Sequence, residues 1–259
     1  MAAEAAADGA GSGERRLAFI GCAGWSLPRE QQPAFGVGSS HLERYATRLG
    51  AVEINSSFHR PHSRATYARW GAAVPADFRF SVKLPRAISH ERRLVDCGEA
   101  LAVFLLQASG LGERLGCLLV QLPPGLAYDA VTAAAFFTLL RRQHAGAVAV
   151  EPRHASWFTP QADALLAGLA MARVLADPVR HAPGRWPGGD PRRIYLRLHG
   201  SPRMYYSSYE SGLLSALADR MREAAAQGAE IWCIFDNTAG QAAVGNALTL
   251  LRELEGAPR

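Results

Sequence analysis

Short apolar runs alternate with longer amphipathic segments along the chain from residue 17 onward. Eight runs have the composition of buried strands: 17–22, 51–55, 78–83, 117–122, 147–152, 172–177, 193–199 and 230–237. Leu, Ala or Phe at spacings of three and four residues predict helices near 40–49, 63–72, 97–111, 130–142, 161–169, 211–227 and 241–254. Continuous apolar strands separated by helices are typical of a parallel sheet that is covered on both faces. Eight such units predict one α/β domain, a parallel eight-stranded (β/α)8 barrel of the TIM type.

Two segments depart from this alternation. Residues 1–16 lack apolar periodicity and are predicted to form a disordered tail, so that the barrel domain covers 17–256. The segment 177–191 is too rich in Pro and Gly for a helix. An open doubly wound sheet is the alternative architecture, but no GxGxxG follows the first strand and no Walker-type phosphate loop occurs in the chain.

Composition narrows the class of protein. No run approaches the roughly 18 apolar residues that cross a bilayer. The start of the chain lacks a signal-peptide pattern, so we expect a cytoplasmic protein with no membrane partner. The four cysteines have no CxxC spacing and are expected to be isolated buried thiols.

The net charge of +5 is compatible with an anionic partner. Lys83 is the one lysine among 28 basic residues, so this position either requires an amine or carries a lysine by chance.

Polar residues stand at or near the last inward-facing position of nearly every predicted strand. Side chains alternate along a strand, and the working sites of barrels lie where the strands end. This placement predicts a functional site built from Glu53, Asn55, Ser81, Lys83, Gln121, Glu151, Asp177, Tyr195, Arg197, His199, Asp236 and Asn237. The alternative is a network of buried ion pairs that fills the barrel mouth without chemistry.

The loops after the strands indicate what kind of ligand would suit such a site. Arg60, Arg153 and Arg203 offer planar forks for phosphate or carboxylate, while Trp157 and the three tyrosines of 197–209 offer faces for a sugar or a base. The expected partner is therefore an anionic small molecule or another phosphate-containing ligand, with nucleic acid as a further candidate. Distant strands could assemble a divalent metal site, but no close pair of ligands occurs on one element, and no metal ligand is assigned.

Seven ordered motifs resemble the DUF72 family, also called YecE-like, of uncharacterised proteins. They are GCAGWS (21–26), VEINSSFHRP (52–61), FRFSVKLPRAISH (78–90), LLVQLPPGL (118–126), VEPRHASWF (150–158), YLRLHG (195–200) and FDNTAGQAAVGNAL (235–248). The resemblance implies a TIM-type barrel with a polar cluster of Glu53, Asn55, Arg60, Lys83, Gln121, Glu151, Arg153, His154, Arg197, His199 and Asn237. It implies no established reaction. The chain departs from the family pattern at His59, Pro152 and Asp236, which could be added ligands, added bases or neutral changes.

The leading hypothesis is a hydrolase or lyase that acts on a phosphorylated or otherwise anionic small molecule or a nucleic-acid fragment. Glu53 or Glu151 is the expected general base, and a histidine, His154 or His199, is expected to move protons. The anion would be held by Lys83, Arg153 and Arg197. Substrate binding would be completed by Asn55, Arg60, Gln121, Trp157 and Asn237.

Two alternatives remain open from the residues alone. One is a non-catalytic protein that binds an anion or nucleic acid with the same cationic mouth. The other is a Schiff-base lyase built on Lys83, which needs a lysine with a lowered pKa. Neighbouring glutamates are expected to raise the pKa of Lys83 and keep the amine charged.

Overall fold

The structure, a computed structural model, describes residues 17–256, and the predicted tail over 1–16 lies outside the described residues. The described strands are β1 (Phe19–Ala23), β2 (Ala51–Ile54), β3 (Arg79–Lys83), β4 (Leu115–Gln121), β5 (Ala147–Glu151), β6 (Ala172–Arg173), β7 (Leu175–Asp177), β8 (Gly188–Gly189), β9 (Arg193–Leu198) and β10 (Glu230–Phe235). The α-helices are α1 (His41–Ala46), α2 (Arg64–Ala72), α3 (Gly98–Ala108), α4 (Ala130–Gln143), α5 (Pro160–Gly168), α6 (Ser211–Ala226) and α7 (Ala243–Glu255).

The strands form one barrel-like, nearly closed sheet in the order β7-β9-β10-β1-β2-β3-β4-β5-β6-β8. Every pairing is parallel except the short antiparallel contact of β6 with β8. The prediction of an eight-stranded, wholly parallel barrel is therefore wrong, although each of the eight predicted runs does contain a strand. The finding is a ten-stranded mixed sheet of a single α/β domain.

The difference arises within the predicted strand 172–177. This run divides at Val174, so that β6 pairs with β5 while β7 pairs with β9. The Val174 N–H continues the pattern by donating to the Val150 carbonyl at 2.9 Å. The run 172–177 thus pairs with β5 through its first residues and with β9 through its last, which nearly closes the ring of strands.

The added strand β8 comes from the segment that is too rich in Pro and Gly for a helix. Gly189 has a φ of +70°, and a Cβ atom at this position would lie 2.3 Å from the Met171 carbonyl oxygen. Only glycine accommodates both the left-handed backbone and this close approach. The segment therefore folds back along β6 as an antiparallel edge.

Helix starts follow from local capping. The Asp129 side chain accepts a hydrogen bond from the Thr132 N–H at 2.8 Å at the start of α4. Thr159 accepts from the Ala162 N–H at 3.3 Å, and Pro160 occupies the first turn of α5. These side chains satisfy amide groups that a helix leaves unpaired. Within residues 17–256, none of the helices combines the length and apolar character that crossing a bilayer requires.

Two apolar cores lie on opposite faces of the sheet. The larger core joins the outward-facing strand residues to the helices. The smaller core fills the barrel interior with Ala51, Cys117, Leu119, Ala149, Val174, Tyr195, Trp232 and Ile234. All four cysteines are buried free thiols. Because strand side chains alternate, the next inward position on each strand continues directly above the inner core.

Candidate functional site

A layer of charged side chains lies above the inner core, at the carboxyl ends of the strands. Glu53 follows Ala51 at the next inward position of β2, and Arg197 follows Tyr195 on β9. Asp236 comes directly after β10. The buried members of this layer form what we call the Arg197 cluster: Arg197, Glu53, Glu151, Asp236, His199 and Arg153.

Arg197 is the centre of this cluster. Its guanidinium donates to Glu53 through Nε at 3.0 Å and through Nη2 at 2.6 Å. Nη1 donates to Glu151 Oε2 at 2.6 Å, and Nη2 also donates to Asp236 Oδ2 at 2.9 Å. A guanidinium has five N–H donors. Three carboxylates therefore occupy nearly all of the capacity of Arg197, which leaves little for a ligand anion.

Tyr195 and Ser81 support Glu53 from below. The Tyr195 hydroxyl donates to Glu53 Oε2 at 3.0 Å and lies 2.7 Å from Ser81 Oγ. Burial is the main reason that the pKa of Tyr195 lies well above its usual value, and the Glu53 charge adds to the effect. The hydroxyl therefore stays protonated as a donor, and Ser81 acts on Glu53 only through its contact with Tyr195.

His199 lies between two carboxylates. Its Nδ1 is 3.1 Å from Asp236 Oδ2, and its Nε2 is 3.0 Å from Glu151 Oε1. Burial alone would lower the pKa of His199, but the hydrogen bonds to Asp236 and Glu151 outweigh burial and raise it. Nε2 also lies 3.3 Å from Arg153 Nη2, but the shorter contacts of both ring nitrogens to carboxylate oxygens favour the imidazolium form.

Arg153 completes the charge balance around Glu151. Arg153 Nη2 lies 2.8 Å from Glu151 Oε1. Burial raises the pKa of Glu151, but the charges of Arg197 and Arg153 and the His199 hydrogen bond hold it well below its usual value. Asp236 behaves similarly: burial raises its pKa, while Arg197 and His199 bring it below the usual value. Both carboxylates are thus fixed as anions.

Lys83, at the end of β3, differs from the cluster because its amine has no hydrogen-bond or ion-pair partner among residues 17–256. Its Nζ lies 4.3 Å from the centroid of the Phe58 ring, and the residue is 9% exposed. Burial and the charge of Arg197 lower the pKa of Lys83 to about 8, against the opposing effect of the three carboxylates. The glutamates act to raise this pKa, as expected, but burial and the charge of Arg197 outweigh them, so the expectation of a raised pKa is wrong.

Comparison with known proteins places the chain in a family. Residues 19–259 match the family described as "Protein of unknown function DUF72". The chain belongs to the DUF72 family. This confirms the resemblance that the seven motifs indicate.

Relatives of this DUF72 chain include two UPF0759 proteins. YecE of Escherichia coli K12 is 33% identical over 107 residues, which are 41% of this chain and 38% of YecE. The chain thus spans 38% of the length of the YecE relative that it matches. YunF of Bacillus subtilis is 20% identical over 270 residues, which cover 92% of this chain and 95% of YunF.

Solved structures of DUF72 family proteins have the same fold. The protein from Enterococcus faecalis V583 is 23% identical, with a TM-score of 0.77 over 92% of this chain and 96% of that chain. The protein from Thermotoga maritima MSB8 is 22% identical, with a TM-score of 0.75 over 93% of this chain and 100% of that chain. At these identities the likeness shows the fold alone.

Two residues that we expected in the DUF72 site support loops instead. His154 Nδ1 accepts from the Ser156 N–H at 3.2 Å and so caps a short 3₁₀ helix, Ala155–Trp157. Trp157 is buried, donates through Nε1 to the Leu126 carbonyl at 2.9 Å, and packs edge-on against Tyr128. Because its faces are covered, Trp157 is not available to a ligand in this conformation.

Asn237 braces the loop that follows β9. Its Nδ2 donates to the Ser207 carbonyl at 2.9 Å and to Asn246 Oδ1 at 2.8 Å. The Asn237 side chain is fully buried, and its Oδ1 has no hydrogen-bond partner among the described residues. These contacts indicate a positioning role rather than contact with a ligand.

The other expected substrate-binding residues lie at the rim. Arg60 is exposed, Gln121 is half-buried at the end of β4 opposite Glu151, and Asn55 is half-buried with its Oδ1 unpaired within residues 17–256. His59, a departure from the family pattern, is exposed beside Phe58, whereas Pro152 is buried.

Sequence reasoning left several contributors without a role. Tyr195, Ser81 and Asp236 were recognised as strand-end residues, but their contacts to Glu53, Arg197 and His199 were not anticipated. Phe58 was missed, although it lies in the same motif as Glu53. The spacing of two residues from Arg197 places Tyr195 in the predicted site, but it does not show which group the hydroxyl contacts.

A metal site has no direct support in the described part of the chain. Within residues 17–256, no group of three or more His, Cys, Asp or Glu side chains is arranged to hold a metal ion. Glu53, Glu151 and Asp236 direct their oxygens at Arg197 rather than at a common point.

Proposed function

We propose that this DUF72 protein is an enzyme, a hydrolase or lyase, that acts on an anionic small molecule at the barrel mouth with Lys83 as its reacting side chain. The observation that carries the proposal is the contrast between Lys83 and its neighbours. The carboxylates are held by Arg197, whereas the amine of Lys83 has no hydrogen-bond or ion-pair partner among residues 17–256.

The Arg197 cluster suits a fixed scaffold better than a proton carrier. A general base works best when its pKa lies near the working pH. Glu151, with a pKa held well below its usual value, is a weak base. His199 is held between two carboxylates as a cation and has no free nitrogen with which to accept a proton. Of the expected catalytic residues, Lys83 is therefore the best suited to proton transfer.

The amine of Lys83 can perform both tasks that the reaction requires. With a pKa of about 8, it is mostly an ammonium at neutral pH, which attracts a substrate anion and can donate a proton to a leaving group. The deprotonated fraction can then recover a proton from water or from substrate. Phe58 supports the ammonium form by a cation–π contact while keeping water away from one side of it.

A Schiff-base lyase is the second candidate, and the lowered pKa of Lys83 favours it. The free amine would attack a substrate carbonyl, the carbonyl oxygen would leave as water, and an imine would form. Borohydride would then reduce the imine to a stable secondary amine. Because Lys83 is the one lysine in the chain, a trapped adduct can be assigned by mass spectrometry.

A turnover screen tests the proposal. The full chain is incubated with phosphate monoesters, phosphodiesters including a short single-stranded oligonucleotide, and 2-oxo acids, and products are followed by mass spectrometry. We expect turnover to be lost in Lys83→Met and retained in Arg86→Met, which removes an exposed cation near the same strand end.

Two results would overturn the proposal. Equal turnover by Lys83→Met and the parent chain would remove Lys83 from the reaction. Binding of an anionic compound or the oligonucleotide without turnover of any compound would favour the non-catalytic binding protein. Trapping of a 2-oxo acid on Lys83 would select the lyase.

A further inference from the structure

A small pocket adjoins the Arg197 cluster between the segments that follow β5, β7 and β9. Its polar lining consists of Arg153, Arg180, His181 and His199, and its apolar lining includes Phe158 and Met204. We call it the Arg153 pocket. Its free volume is about 20 Å³. A space of this size takes one compact terminal group rather than a whole substrate.

Arg153 has an unsatisfied donor at this pocket. The residue is 8% exposed, and its Nε is buried with no hydrogen-bond partner among the described residues. Its Nη2, in contrast, is used by Glu151. Buried donors in folded proteins nearly always have a partner, and the exceptions call for an explanation such as a bound ion or water. An oxygen atom of an anionic ligand would satisfy this N–H.

The charge of the lining points to the same class of ligand. It contains two arginines and two histidines, and no carboxylate is among the lining residues in the described chain. Arg180 is exposed, and its nearest polar contact is a long one of 3.7 Å from Nη2 to Met204 Sδ. Its guanidinium is therefore free to reorient toward a ligand. Arg side chains recognise phosphate oxygens through paired N–H groups.

We infer that the Arg153 pocket binds the terminal phosphate of a phosphorylated small-molecule substrate whose remaining part extends toward Lys83. This inference rests on the proposed function, because it names the substrate class of the same site. Lys83 ends β3 and Arg153 follows β5, and only β4 lies between these two strands in the sheet, so the two residues stand at the same rim about 10 Å apart, within reach of one small molecule. A phosphate monoester carries about two negative charges at neutral pH, so it gains more than a singly charged diester from the guanidinium groups of Arg153 and Arg180.

The experiment is a calorimetric titration of the full chain at pH 7.5 and low salt with three probes. The probes are inorganic phosphate, methyl phosphate and dimethyl phosphate. We expect the first two to bind and dimethyl phosphate to bind at least about tenfold more weakly, because it lacks the second charge. Arg180→Gln should weaken binding of inorganic phosphate by about tenfold or more.

Two further variants separate this inference from the proposed function. Arg185→Gln removes an exposed arginine of the same segment that does not line the pocket, and phosphate binding should be unchanged. Lys83→Met should retain binding of inorganic phosphate within about twofold, because the phosphate subsite excludes Lys83.

The outcomes are distinct. If inorganic phosphate does not bind, or if Arg185→Gln weakens it as much as Arg180→Gln, the subsite is refuted while Lys83 chemistry still stands. Equal binding of dimethyl phosphate would refute the terminal-phosphate assignment. If phosphate binds as expected but Lys83→Met turns over substrate normally, the subsite stands and the proposed function fails.

Discussion

Arg197 on β9 holds Glu53 on β2 by two hydrogen bonds, of 3.0 Å from Nε and 2.6 Å from Nη2. In the sheet these strands are separated by β10 and β1. The pair therefore crosses the barrel interior and links strands that share no backbone hydrogen bonds. Both side chains are almost completely buried, so removal of Arg197 would leave Glu53 as an uncompensated buried charge.

Removal of Arg197 should destabilise the fold strongly. Arg197→Met leaves three carboxylates buried without their shared cation, and loss of one partner of a buried ion pair costs roughly 3–5 kcal/mol. Urea unfolding followed by circular dichroism measures the change.

The matched control for this prediction is Arg193→Met on the same strand. Arg193 pairs with Glu230 at 2.8 Å, but both side chains are partly exposed. Its loss should therefore cost about 1 kcal/mol or less. A similar, small cost for both substitutions would show that Arg197 does not organise the cluster.

Lys83 should react with amine reagents at a lower pH than an ordinary lysine. With a pKa of about 8, its acetylation rate in the folded protein should rise with a midpoint near pH 8. In urea the midpoint should return toward the ordinary value of 10.5. Peptide mass spectrometry resolves Lys83 from the chain terminus. The same midpoint in both states would mean that the fold does not perturb the amine.

Replacement of Lys83 should stabilise the protein while removing its proposed activity. The buried ammonium has no hydrogen-bond or ion-pair partner in the described chain, so Lys83→Met should raise the free energy of unfolding at pH 7 by roughly 1–3 kcal/mol. Because the unfolded chain binds more protons between pH 8 and 10.5, the stability of the parent rises over that range and the advantage of the variant shrinks. Lys83→Arg keeps the charge and should show no gain, and a destabilised Lys83→Met would contradict this account.

The contribution of His199 to stability should fall as pH rises. Its pKa in the folded protein is raised above the ordinary value of 6.5. The stabilisation is therefore fully present below pH 6.5 and is lost as pH increases through the folded-state pKa. The difference in urea stability between the parent and His199→Gln should narrow from pH 6 upward. A difference that stays constant as pH rises from 6 would contradict this account.

Much of the inner arrangement follows from period-two alternation. Glu53, Lys83, Glu151 and Arg197 were expected to meet because each stands at an inward position near the end of a strand. The structure joins Glu53 and Glu151 to Arg197 directly and places Lys83 at the end of β3 without a direct contact to them. The depth of each side chain at the strand ends could not be read from the pattern. Arg197 was expected to bind a ligand anion, but its long side chain reaches three carboxylates first.

Other differences come from interactions between distant segments. The run 172–177 divides because β5 pairs with its start and β9 with its end. Local residue propensities carry no information about these distant strands. The capping role of His154 and the burial of Trp157 depend on the neighbouring 126–128 loop, which donates to Ser156 and accepts from the indole. Such roles require the tertiary structure.

The junction at Val174 has a mechanical consequence. The ladder between β5 and β6 has two residue pairs and that between β7 and β9 has three, whereas β9 and β10 share six. Backbone hydrogen bonding is therefore sparse along one side of the ring, and local opening in proteins concentrates where such bonds are few. We expect local opening to be most frequent at β6 and β7, beside the Arg153 pocket. A ligand could then enter or leave there without disturbing the ion pairs that link the opposite strands.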